Sequence, residues 1–215
     1  MIADLIRDDQ FIELEKEYKF LARARGEQLA NGEYVIVDVE TTGLEPAQSE
    51  LTEIGALKIK AGEIKDIFSS LIRPKNPIPP EITRLTGIDD AMVKDFPGAG
   101  PILEKFSLFA GPNIIIAHNT DFDVPFLKHH LKQTSGRELN NETICTLKTS
   151  RLLLPNLPNH KLHTIAQHFG LTAQNRHRAM GDVELTFQIW LKFIDLLKDK
   201  GIMTKRELDA LTSQL

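Results

Sequence analysis

Asp38, Glu40, Asp123, His177 and Asp182 stand at three separate places in the chain, each at the margin of an apolar run. The first two lie in VIVDVETTGLEP, the third in IIIAHNTDFDVPFL, and the last two in NRHRAMGDVELT. Four carboxylates and an imidazole make a donor set for hard divalent cations. Such ions take oxygen ligands and bind through a few carboxylates together with substrate phosphate. The reaction this set suits is metal-assisted displacement at a phosphodiester.

Each motif is weak alone, since an isolated Asp-x-Glu is usually a solvated surface pair. Context changes that reading for Asp38 and Glu40. Two-residue alternation puts both on one face of a strand otherwise built of valine and isoleucine. Two carboxylates there raise each other's pKa unless a cation compensates. Gly43 permits a tight turn that brings the backbone amides of Thr41, Thr42 and Leu44 close to a ligand. In the second motif Asp121 takes the helix N-cap, a common post for aspartate, and Asp123 then sits in the first turn, pointing back at the strand ends. His118 and Asn119 either shape the site or satisfy backbone groups. In the third motif Asp182 opens a long amphipathic helix and faces inward with Leu185 and Ile189. His177 lies five residues earlier in a loop, where an imidazole near neutrality can deprotonate water. Lys161, Arg176 and Arg178 are phosphate contacts or solvated surface cations. Gly98-Ala99-Gly100 lacks the third glycine of a nucleotide-binding turn and reads as a loop.

The elements that must hold these residues follow from periodicity. Residues 1–30 form a charged N-terminal extension with Leu14, Tyr18 and Leu21 at helical spacing, ended by Asn31-Gly32. YVIVDV is a buried central strand, and EIGALKIK and EIKDIFSSLIRP continue it as an antiparallel meander. A short helix runs from Pro80 to about Leu85, another covers PILEKFSLFAG, and NIIIAH is a further buried strand. Helices then cover DVPFLKHHLKQ, TLKTSRLLLP, KLHTIAQHFGL and DVELTFQIWLKFIDLLKD, and His129-His130 reads as an exposed helix end. Residues 201–215 hold a last short helix, which leaves 31–200 as the main domain. The expected fold class is α/β, a mixed central sheet flanked by helices.

Composition narrows the function classes. The chain has 215 residues and a net charge of -4, so no global basic field grips a polyanion. A phosphate-binding carboxylate cluster needs metal to neutralise it, which mild acidity does not oppose. Cys145 is the only cysteine, which excludes an internal disulfide and a cysteine zinc site and fits a reducing compartment. The charged first residues do not read as a signal peptide, and no run spans a bilayer, so a soluble cytoplasmic protein is expected.

The three motifs together resemble those of the DEDDh (DnaQ-like) exonucleases, in particular the epsilon proofreading type of bacterial DNA polymerase III. LTEIGALKIK, PEITRLTGI and CTLKTSRLLLPNLPNHKLHTIAQHFGL are similar to that family between the motifs, and the likeness covers roughly residues 33–195. It implies an RNase H-like fold and a 3′→5′ exonuclease that releases nucleoside 5′-monophosphates from single-stranded or mispaired DNA 3′ ends. It implies two Mg²⁺ or Mn²⁺ held by Asp38, Glu40, Asp123 and Asp182, with His177 as general base. Thr41, Thr42 and Gly43 match the segment that contacts the terminal nucleotide. The partner class it implies is nucleic acid with a single-stranded 3′ end, together with a DNA polymerase or repair complex. Two alternatives stand beside it: an RNA-directed exonuclease of the same family, whose chemistry is identical and whose sugar contacts differ, and a polymerase-associated interaction subunit that docks through residues 1–30.

Overall fold

The computed structural model describes residues 28–172 and 178–214. The N-terminal extension proposed for residues 1–30 thus lies almost wholly outside the described residues, as do Arg176 and His177.

Five strands form one sheet in the order β3-β2-β1-β4-β5. They are β1 (Glu33–Thr41), β2 (Leu51–Lys60), β3 (Glu63–Leu71), β4 (Ile114–Ala117) and β5 (Thr143–Cys145). The first three make the expected antiparallel meander, while β4 joins β1, and β5 joins β4, in parallel. β5 is an addition to the sequence reading: TIC is three residues long and runs directly into a helix, so no alternation can declare it.

The helices are α1 (Pro80–Thr86), α2 (Asp90–Val93), α3 (Ala99–Ala110), α4 (Thr120–Ser135), α5 (Thr146–Leu153), α6 (Leu162–His168), α7 (Ala179–Asp199) and α8 (Lys205–Thr212). Gly98 caps α3 and Ala99 and Gly100 lie inside it, so the glycine-rich stretch opens a helix and does not form a loop.

Strand parity sorts the core into two layers. Tyr34 and Ile36 of β1, Leu57 and Ile59 of β2, and Ile114 and Ile116 of β4 face Val183, Leu185, Ile189, Trp190 and Phe193 of α7. Val35, Val37 and Val39 face the opposite way, onto Ile102 and Phe106 of α3 and Val124, Phe126 and Leu127 of α4. Each layer buries several large apolar side chains, each of which stabilises by roughly 1.5–3 kcal/mol relative to exposure. Trp190 anchors the first layer against Tyr34, edge to face at 5.6 Å.

This parity decides where the acids go. Asp38 and Glu40 continue the even series and therefore lie on the α7 side of the sheet. Glu53 and Gly55, paired with Glu40 and Asp38 across the β1–β2 ladder, share that face. β1 and β4 run parallel, so their carboxyl ends open at the same edge, where open α/β sheets bind ligands. Among the described residues no helix is long and apolar enough to cross a membrane.

Candidate active site

Asp38 and Glu40 sit in the C-terminal half of β1, and Asp182 sits in the first turn of α7. Each offers a carboxylate oxygen, and these oxygens lie within 4.8 Å of one another. Asp123 approaches from the other layer. It is buried in the first turn of α4 and its Oδ1 accepts a hydrogen bond from the Val39 amide at 3.3 Å. That bond ties the second motif to the strand between the two acids of the first.

The grouping is electrostatically unfavourable by itself. Burial lifts Glu40 from its ordinary 4.5 to about 7, and the charges of Asp182 and Glu53 add to the shift. Burial also raises Asp38 well above the carboxylate range, helped by Asp123, Glu40 and Asp182. Asp123 moves the same way, with burial the main cause and the Val39 amide opposing it. Acids so placed demand protons or cations. An all-oxygen carboxylate set is the donor type that Mg²⁺ and Mn²⁺ take.

What brings Asp182 to the sheet is a missing side chain. A Cβ on Gly55 would lie 2.9 Å from the backbone of Ala179 and Met180. The first turn of α7 therefore rests on bare backbone directly opposite Asp38. Gly55→Ala is expected to push this turn outward and cut turnover by about 10- to 100-fold, since an ångström of misplacement has that effect. Single-turnover kinetics beside a melting curve checks this, and unchanged kinetics would show that Gly55 does not position the first turn of α7.

The 42–50 loop follows β1, whose pairing with β2 carries a bulge between Glu40 and Thr41. The Thr41 hydroxyl donates to Gly43 O at 2.6 Å, the Thr42 hydroxyl accepts from the Glu50 amide at 2.9 Å, and Thr42 N donates to Glu50 O. Gly43 keeps a negative φ; its need is space, because a Cβ would meet Ser49 Oγ at 2.6 Å. His130 holds the far side of this loop. It is buried, lies over Phe126, and its Nε2 donates to the Ser49 carbonyl at 3.0 Å. The reading of His129-His130 as an exposed helix end is therefore wrong for His130: α4 runs on to Ser135, and its inner face carries that ring.

Asp121 does not take the N-cap post expected of it. Asn119, in the left-handed region at φ 81, is the N-cap of α4, while Asp121 lies inside the first turn and pairs with Lys148 at 3.2 Å. A helix starting one residue after Asn119 leaves Asp121 no capping role. His118 engages both ring nitrogens within the protein. Nε2 donates to the His160 carbonyl and Nδ1 accepts from the Thr146 hydroxyl, each at 3.0 Å. Burial holds its pKa down at about 4, so the ring is neutral and braces the segment at His160. Arg178 pairs at 2.7 Å with Glu53, a residue that lies in none of the three acidic motifs.

With this geometry in place the relatives become informative. Residues 35–190 match the family model described as Exonuclease. The chain belongs to the exonuclease family. This exonuclease is 35% identical, over 171 residues, to the DNA polymerase III subunit epsilon of Aquifex aeolicus, a match covering 80% of the present chain and 85% of that subunit. It is 40% identical over 190 residues to the PolC-type DNA polymerase III of Caldanaerobacter subterraneus subsp. tengcongensis. That match covers 88% of the chain but 14% of the polymerase's length. Among solved structures, Exonuclease X in complex with 5′ overhanging duplex DNA superposes with a TM-score of 0.63 at 29% identity, covering 83% of this chain and 99% of the other. The mixed five-stranded sheet flanked by helices is the RNase H-like arrangement expected from the motifs.

Proposed function

We propose that this exonuclease is divalent-metal-dependent and removes nucleoside 5′-monophosphates from the 3′ ends of single-stranded or mispaired DNA. The observation that carries the reading is the convergence of Asp38, Glu40 and Asp182 from two separate elements within 4.8 Å. Asp38, Glu40 and Asp182, with Asp123 behind them, would hold a pair of Mg²⁺ or Mn²⁺ ions. When bound, such ions supply an activated water and neutralise charge on the leaving 3′ oxygen.

The chain's own residues do the remainder. Thr41 ends β1, Thr42 and Gly43 begin the loop closed at Glu50 and pinned by His130, and together they present the terminal nucleotide to the acids. Leu44, 78% exposed beside Gly43, offers an apolar surface on which a base can rest. His118 and Asn119 frame the other wall at the exit of β4. His177, outside the described residues, would take the proton from the attacking water. DNA is favoured as substrate because the Aquifex relative is named for a DNA polymerase and Exonuclease X is seen with duplex DNA. A polymerase or repair assembly is the matching partner, in a cytoplasmic setting.

The test is digestion of 3′-labelled single-stranded DNA, mispaired duplex and single-stranded RNA, with Mg²⁺, Mn²⁺ and EDTA compared. Mononucleotides should appear first from the labelled end of DNA and vanish in EDTA. Undiminished activity in EDTA, or release from the 5′ end, would overturn the reading. Faster digestion of RNA would transfer it to the RNA-directed alternative.

A further inference from the structure

Glu53 is a buried carboxylate outside the acid cluster, with its side chain 4% exposed. Its two oxygens are fully committed. Arg178 Nη2 donates to Oε1 at 2.7 Å, Arg178 Nε donates to Oε2 at 3.0 Å and Oε1 at 3.2 Å, and the Ala179 amide donates to Oε2 at 3.0 Å. A planar guanidinium on a carboxylate is a two-point contact with a defined direction. The Ala179 bond satisfies an amide at the N-terminus of α7, one of the groups a helix leaves without an internal partner.

The position of this contact gives it a consequence. Glu53 is the cross-strand partner of Glu40, and Arg178 is the residue before α7, four positions from Asp182. Gly55, two residues along the same face of β2, is where the backbone of Ala179 and Met180 lies. β2 thus grips the start of α7 through one ion pair and one bare glycine.

We propose that the Glu53–Arg178 pair is a fastening that presents Asp182 to the other two carboxylates and thereby sets the affinity for divalent cations; this rests on the metal reading above. Both residues are positioning residues, since neither belongs to the proximal carboxylate cluster. Residues that orient metal ligands typically change metal affinity by 10- to 100-fold when replaced.

The sign of the effect separates fastening from mere field. Arg178 is a cation near an acid cluster, so removing its charge would strengthen cation binding if only electrostatics mattered. A lost fastening weakens binding instead. The experiment is a Mn²⁺ titration without nucleic acid, on wild type, Arg178→Gln, Arg178→Lys and Glu53→Gln, each with its melting temperature in EDTA. Arg178 is 38% exposed, so its variants should fold even if Glu53→Gln does not. Arg178→Gln should weaken Mn²⁺ binding by about tenfold or more. Arg178→Lys should recover little of this, because an ammonium lacks the fork. Tighter or unchanged binding in Arg178→Gln, full recovery by lysine, or a lower melting temperature with unaltered Mn²⁺ affinity would each overturn the fastening. Absence of Mn²⁺ binding by the wild type would instead overturn the metal reading itself.

Discussion

Asp38→Asn leaves a folded protein whose exonuclease turnover falls by about a thousandfold or more. The size follows from the role proposed for the carboxylate, that of a metal ligand. A metal ion contributes several kcal/mol of transition-state charge stabilisation, and every 1.36 kcal/mol is a factor of ten in rate. Asparagine keeps the volume opposite Gly55 and removes the charge. Asp38 is raised by burial and by the charges of Asp123, Glu40 and Asp182 acting together, so neutralising it relieves repulsion throughout the group. The variant should therefore melt no lower than wild type in EDTA while losing activity at saturating Mg²⁺. Rate constants measured on a labelled oligonucleotide, beside circular dichroism of the same preparation, decide the matter. Activity within tenfold of wild type would show that Asp38 lies outside the chemistry.

Much of this site could be read along the chain because it depends on parity. Asp38 and Glu40 are two apart on a strand, and no other fact is needed to put them on one face. Asp182 follows from the 3.6-residue period of α7, which carries Leu185 and Ile189 inward. Other features depend on partners far away in sequence. Glu53 shares its face of β2 with Gly55, Leu57 and Ile59, but nothing local says what satisfies a carboxylate there, because its partner Arg178 is 125 residues distant. His130 looks like part of an exposed pair until the 42–50 loop folds over it and offers the Ser49 carbonyl. The capping error at α4 has a local cause. Asn119 adopts a left-handed conformation that starts the helix early, and asparagine tolerates that region better than most residues. These are tertiary decisions, and the local pattern is silent on them.

Without metal, the protein is expected to lose stability as pH rises from about 4.5 to 7, and added Mg²⁺ or Mn²⁺ should restore it most strongly at the upper end. The sign follows from the shifts. Glu40 has an ordinary pKa of 4.5 and a folded value of about 7. Below 4.5 the folded and unfolded chains both carry the proton, and the site imposes no penalty. Between the two values the unfolded chain ionises while the folded chain does not, so stability falls with each step in pH. Above about 7 the penalty of the ionised group is complete, on the order of 3 kcal/mol for Glu40 alone. For a chain of this size that is a drop of roughly 6–12 °C in melting temperature. Asp38 and Asp123 shift in the same direction and extend the effect upward in pH. Glu63 and Glu207, held below their ordinary values by hydrogen bonds, respond to acid with the opposite sign, so the comparison must be internal: wild type against Glu40→Gln, both in EDTA. The variant should match wild type near pH 4 and exceed it by several degrees at pH 7.5. A divalent cation competes with protons for the same oxygens, so its stabilisation should grow over this interval and shrink in Glu40→Gln. Parallel melting curves for the two proteins across the whole range would mean that Glu40 ionises freely in the folded state, and the case for a cation-demanding cluster would fall with it.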